Sequence, residues 1–171
     1  MSSLNAIAIF DPNSSFNKDK IEGYVQFHQC CEEKKTIIKV NLSGFKPFSK
    51  HAIHIHEKGI TSLINACDST CKHYNPYNSK HGNSEIHGKD RHVGDLINNI
   101  ESDKDGNVYI TFIDDLVNLF PPFSVIGRSV VIHSGIDDLG VYRNEKSERG
   151  NLSSTTGNAG SRIACSVIGV M

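Results

Sequence analysis

HAIHIHEKG, residues 51–59, places three histidines within six positions of an otherwise apolar stretch. Successive side chains of a strand point to opposite faces, so Ile53 and Ile55 share one face while His54 and His56 share the other. The isoleucines suit a hydrophobic core. The two imidazoles then converge on something outside it, and the rest of the chain must supply partners.

Short alternating segments recur on both sides of this stretch. NAIAIF (5–10) and IEGYVQFHQ (21–29) are separated by the turn-forming DPNSS, and TIIKVNLSGF (36–45) sets Ile38, Val40 and Leu42 against Lys39 and Asn41. VGDLINNI (93–100), VYITFID (108–114), GRSVVIHS (127–134) and RIACSVIGV (162–170) complete about eight strands, with DKDGN as a tight turn. No stretch carries the pattern of a long amphipathic helix. The expected fold class is all-β, an eight-stranded antiparallel sandwich or barrel.

At 171 residues the chain suits a single domain, 1–171, with enough surface to bury a real core. A formal charge of −1 and short apolar runs give no sign of a nucleic-acid or membrane partner. MSSLNAIAIFDPNSS has no basic region followed by a long apolar run, so a cytoplasmic location is expected. Such a location disfavours disulfides, and the adjacent Cys30 and Cys31 read as free thiols.

Residues 57–92 and 134–161 break the strand rhythm as two long polar loops, a length that is usually functional or disordered. The first contains or adjoins His73, His81, His92 and Asp95, while His133 ends the apolar SVVIH. With His54 and His56, six histidines and one aspartate stand at loop–strand junctions. Metal binding can offset the entropy of ordering such loops. Imidazoles with one carboxylate suit zinc, and an all-imidazole set with an open position suits copper. Spacing alone leaves open which histidine goes where, and one mononuclear zinc site would also fit the count.

The blocks HAIHIHEKG, HYNPYNSKHG, RHVGDL, DKDG, IGRSVVIH, DDLG and GNAGSRIACSVIG together resemble the copper/zinc superoxide dismutase family over nearly the whole chain. The resemblance implies a Greek-key, immunoglobulin-like sandwich and dismutation of superoxide to O2 and hydrogen peroxide. It implies copper ligands His54, His56, His73 and His133, and zinc ligands His73, His81, His92 and Asp95, with His73 bridging. Asp137 would be the carboxylate joining His54 to His81, Arg162 the guanidinium beside the open copper position, and Cys67–Cys165 a disulfide. Cys71 reads as an idle thiol in a position to compete for that bridge, His51 as a structural hydrogen-bonder, and His28 and His87 as surface residues. All ligands and the arginine are retained, against a non-catalytic relative; without a CxxC motif or extra domain, the chain is not expected to be a copper chaperone itself.

Two departures from the family stand out. The loop RNEKSERGNLSSTTGNAG (143–160) is longer than usual, and Gly135 occupies a position that often carries lysine. Lys146 and Arg149 are set among Glu145 and Glu148, which predicts an altered dependence of rate on ionic strength. The second departure is Lys58, where a large apolar residue of a homodimer contact is usual; Ile60, Leu63 or Ile64 would restore the lost area. A homodimer is expected, with a copper chaperone as a further partner.

Overall fold

The alternating segments form two antiparallel sheets in this computed structural model, which describes residues 3–31 and 34–171. The strands are β1 (Ser3–Phe10), β2 (Glu22–Cys30), β3 (Thr36–Ser43), β4 (Lys50–His56), β5 (Asp95–Glu101), β6 (Val108–Asp114), β7 (Ser129–His133), β8 (Arg162–Val167) and β9 (Gly169–Val170). One sheet runs β6-β3-β2-β1-β9 and the other β5-β4-β7-β8. Phe27, Ile38 and Leu42 from the first meet Ile53, Ile55 and Ile132 from the second, all fully buried. This is an immunoglobulin-like sandwich. It is not a barrel: no backbone ladder joins the two sheets among the described residues.

The segment expected as the last strand divides in two. Ile168 is fully buried and turns the corner, its N–H donating to the Arg128 carbonyl at 2.8 Å. Beyond it Gly169 pairs with Ile7 in the opposite sheet, so one continuous segment contributes to both sheets.

The loops also carry structure that strand periodicity could not announce. Residues 57–92 include a 3-10 turn (Asp68–Thr70) and α1 (Ser84–His87), which Asn83 caps by accepting from the Glu85 and Ile86 N–H groups. Residues 134–161 include α2 (Glu148–Ser153), capped by Ser147 through the Gly150 N–H.

Both loops fold over the outer face of the four-stranded sheet. β4 lies between β5 and β7, with register shifts after Ile53 and after Ile132 on the partner strand β7. The first loop is stitched to β4 by Tyr74 N–H to the Ile55 carbonyl and Ile55 N–H to the Gly94 carbonyl, at 2.8 and 2.9 Å. The second returns as Gly135 N–H to the Ala159 carbonyl and Ser134 N–H to the Ser161 carbonyl. Thus β4 is buried on both faces: isoleucines inward, histidines under the loops.

Gly94 sits at the tightest of these crossings, where an added Cβ would lie 2.1 Å from the Ile55 carbonyl oxygen. Gly94→Ala is therefore expected to force β4 and the loop apart and to cost on the order of 2 kcal/mol, measured as a lowered urea midpoint. A wild-type midpoint in this variant would refute the crossing as a packing constraint.

Candidate metal centre

Six histidines and one aspartate close on one another beneath the loops. β4 supplies His54 and His56, and β7 supplies His133 at the end of a strand whose Val130 and Ile132 face the core. His73 joins through an isolated bridge to His56, and Asp95 opens β5. All seven are buried, His54, His56, His81 and Asp95 completely.

Each ring has one nitrogen engaged, which determines where the other points. His54 Nε2 meets Asp137 Oδ2 at 2.6 Å, His56 Nδ1 donates to the Cys71 carbonyl at 2.9 Å, and His133 Nδ1 to the Gly160 carbonyl at 3.3 Å. His73 Nδ1 faces Asp95 Oδ1 at 2.8 Å. What is left is His54 Nδ1 and His73 Nε2, buried without partners, and the Nε2 atoms of His56 and His133, 3.3 Å apart. One nitrogen from each of these four rings lies within 4.8 Å of the others. Four converging lone pairs make a cation site; a buried acceptor left unpaired costs about 1–3 kcal/mol.

A second cluster surrounds Asp95. The Nδ1 atoms of His73, His81 and His92 stand 2.8, 2.9 and 3.1 Å from the same oxygen, Asp95 Oδ1. His81 Nδ1 makes no hydrogen bond despite that distance. The other carboxylate oxygen is held by the N–H groups of Gly82 (3.0 Å) and His92 (2.9 Å). Ligands at about 2.0 Å in a tetrahedron are separated by about 3.3 Å, and each of the three nitrogens stands near that distance from the oxygen. The set around Asp95 whose ligand atoms all lie within 4.8 Å of one another is His54, His73, His81 and Asp95, without His92. His54 and His73 touch both clusters, their ring centroids 4.0 Å apart.

The electrostatics favour a cation in both. Burial, then the neighbouring imidazoles, hold His56 and His73 well below the usual histidine range, and burial with His54 lowers His133 to about 3. These rings stay neutral, as ligands must. Burial opposes ionisation of Asp95, but the hydrogen bond from His73 and the close approach of His81 outweigh it and hold the carboxyl far below its ordinary value. His81 is the exception. Burial opposes its charge, yet Asp137 and Asp95 on either side raise it to about 10. A metal ion held between Asp95 and His81 would take the place of that proton.

Asp137 ties the clusters together, accepting from His54 Nε2 at 2.6 Å and from His81 Nε2 at 2.9 Å. Reading the sequence missed its supports. Asn98 donates to Asp137 Oδ2 at 3.2 Å and to the Gly82 carbonyl at 3.0 Å, while Asn99 grips the Asp137 backbone through both its amide atoms. Their signal was INNI, two strand-poor residues where alternation calls for β-formers. Arg91 was missed too: almost wholly buried, it donates to the Asp95 carbonyl at 2.6 Å and to Asp114 at 2.9 Å.

Arg162 follows His133 in register across β7 and β8. Its Nη1 donates to the Cys67 carbonyl at 2.6 Å and its Nη2 to the Cys71 carbonyl at 2.5 Å, the same oxygen that orients His56. Cys67 and Cys165 form a disulfide spanning 98 residues, so the loop that grips Arg162 is bonded to its own strand. Cys71 is half-buried and free. His51 bridges the His133 carbonyl and Ser49, and His87 accepts from Asn83 N–H at α1. His28 lies on the far sheet.

A β-sandwich carrying two adjoining histidine clusters under a disulfide-anchored loop has the makings of a metal-binding protein. The sequence profile of the copper/zinc superoxide dismutase (SODC) family matches residues 21–168. A superoxide dismutase [Cu-Zn] of Neurospora crassa is 45% identical, with 98% of each chain covered, and one of Schizosaccharomyces pombe is 42% identical, also with 98% of each covered. The crystal structure of the clock protein EA4 superposes with a TM-score of 0.81 at 35% identity, covering 100% of this chain and 97% of that one. The chain belongs to the copper/zinc superoxide dismutase family. It is an oxidoreductase acting on superoxide, with copper and zinc as cofactors.

The disulfide closes a long loop, and losing it removes the constraint on both Arg162 and the unfolded chain. Cys165→Ser is expected to lose about 2–5 kcal/mol of stability, and reductant should bring wild type down to the same urea midpoint. Equal midpoints for oxidised wild type and the variant would contradict this.

Proposed function

We propose that His54, His56, His73 and His133 hold copper, and that His73, His81, His92 and Asp95 hold zinc, with His73 shared through its two nitrogens. The observation that carries this assignment is the pair of partnerless buried atoms, His54 Nδ1 and His73 Nε2, aimed at the nitrogens of His56 and His133. When bound, copper supplies one-electron exchange, so that one superoxide leaves as O2 and a second, with two protons, as hydrogen peroxide.

The chain's own residues bind, orient and protonate. The Arg162 guanidinium, about one-fifth exposed and cross-strand from His133, attracts the small anion and fixes its approach. Three loop carbonyls and the Thr70 hydroxyl hold the guanidinium rigid. His73 Nε2, buried and without a hydrogen-bond partner, could take a proton when it is not holding the metal, while its Nδ1 stays on the Asp95 side. Asp137 keeps His54 and His81 in the tautomers that leave both Nδ1 atoms for metal.

We also propose a homodimer and a cytoplasmic location. A groove lined by Ile7, Ile9, Ile60 and Val167 supports the first, with Ile9 and Val170 each more than three-fifths exposed beside it. Lys58 is exposed next to Gly59, where an added Cβ would lie 3.7 Å from the Val167 side chain, and so reaches solvent near the groove's rim. No helix among the described residues is long and apolar enough to cross a membrane. A donor protein for copper fits the burial of all four nitrogens, which a hydrated ion reaches only when the loops open.

Superoxide removal per bound copper, with copper and zinc counted in the same sample, tests the assignment. Wild type should bind one of each and turn over in proportion to copper. His56→Ala should lose copper and keep zinc, His92→Ala the reverse, and His73→Ala should weaken both. Asp137→Asn should lower metal affinity roughly 10- to 100-fold in a chelator competition. Copper retained at full occupancy in His56→Ala would refute the ligand assignment.

Steering falls to the first loop. Arg149 is paired with Glu145 of the same loop at 2.8 Å and Arg143 with Asp90 of the first loop at 2.5 Å, so two of the second loop's three cations are taken up in ion pairs. Lys72 and Lys80 line a cavity against His73 and His92. Lys72→Gln should slow turnover about two- to threefold at low salt and converge with wild type at high salt, while Arg149→Gln leaves the salt profile unchanged. The reverse ranking would place steering on the second loop.

A further inference from the structure

We propose that His28 and Cys30 form a binding site for a soft monovalent metal ion, Cu(I), on the face of the sandwich opposite the histidine clusters. Both side chains project from the outer face of β2, since Val25, Phe27 and Gln29 take the inner one. His28 Nε2 and Cys30 Sγ stand 4.0 Å apart. Bonds of about 2.3 Å to sulfur and 2.0 Å to nitrogen span about 3.5–4.3 Å as the angle opens from tetrahedral to linear. A low-coordinate ion therefore fits between these two atoms where they stand.

The imidazole is already oriented for it. Asn5 is the cross-strand partner of His28, and its Oδ1 lies 2.8 Å from His28 Nδ1. That oxygen accepts the ring proton at Nδ1 and leaves the Nε2 lone pair facing the thiol, the arrangement seen around metal-bound histidines. Met171 lies on the same face, its sulfur 3.4 Å from Gln26 Nε2 and its N–H on the Asn5 carbonyl at 2.9 Å. A thiolate with an imidazole, the two donors that stand together here, suits Cu(I).

The surroundings disfavour harder ions. The groove beside His28 is lined by Asn5, Gln26, Ile37 and Lys39, with no carboxylate among them. Lys39 repels a divalent cation, whereas Cu(I) on a thiolate is neutral overall. Binding releases the thiol proton, forms an S–Cu and an N–Cu bond, and transfers no electron.

The test uses protein already loaded with copper and zinc, its copper reduced with ascorbate, titrated anaerobically with Cu(I) as the bicinchoninate complex. Wild type should take one further Cu(I) per chain. C30S and H28Q should each weaken that step at least tenfold, C31S should leave it unchanged, and dismutase activity should survive in all three. No additional equivalent, or an additional equivalent that persists in C30S, would overturn the site. So would loss in C30S with H28Q unaffected, which is chelation by a thiol alone. X-ray absorption of the extra copper in wild type should show mixed sulfur and nitrogen ligation; sulfur alone would likewise overturn it, whether or not the variants fold.

Discussion

A single buried carboxylate, Asp137, holds the metal centre in shape. It accepts from the Nε2 atoms of His54 and His81, from Asn98 Nδ2 and from the Leu139 N–H, while Asn99 secures its backbone on both sides. An anion removed from water this completely survives only because every lone pair is used. The same bonds hold its pKa below the ordinary carboxylate range against the effect of burial. Since Asp137 belongs to the second loop and the asparagines to β5, the carboxylate also closes that loop onto the sheet.

The anion site is organised by a different device, a shared carbonyl. Cys71 O receives both His56 Nδ1 and Arg162 Nη2, so a movement of the first loop displaces the imidazole proposed for copper and the guanidinium proposed for the anion together. The chain reaches this geometry with Cys71 at φ 67°, unusual for a residue with a side chain. Cys67, whose carbonyl takes the other guanidinium nitrogen, is bonded to Cys165, three residues beyond Arg162 on the same strand. A loop fixed at both ends in this way can carry precise geometry without a helix or strand beneath it.

Much of this was legible because β4 and β7 obey a rule of period two. Ile53, Ile55, Val130 and Ile132 fall to the core, so His54, His56 and His133 had one face left to occupy. The loops were legible only through family blocks, for no periodicity tells where a buried loop folds. Asn98 and Asn99 in β5, and Arg91 in the loop before it, went unread because such polar side chains gain their meaning from partners 16 to 39 residues away. The break at Ile168 was hidden for the opposite reason: RIACSVIGV looks like one strand, and only packing of the two sheets decides where it crosses.

The longer second loop trades charge for order. Two of its three cations end in pairs, Arg149 on Glu145 and over the Tyr142 ring, Arg143 on Asp90 of the first loop, and Ser153 and Asn158 turn inward to Asp138. Arg143 moreover donates to the His81 carbonyl, binding the extension to the first loop beside the Asp95 cluster. The second loop thus braces the Asp95 side of the site. Lys72, one residue from His73, and Lys80, one residue from His81, line the cavity beside His73 and His92, and Lys80 Nζ also donates to Asn144 Oδ1 of the second loop at 2.8 Å. On the proposed ligand assignment these lysines belong to the loop that supplies His73, His81 and His92, so one ordering of that loop would place ligands and charges together.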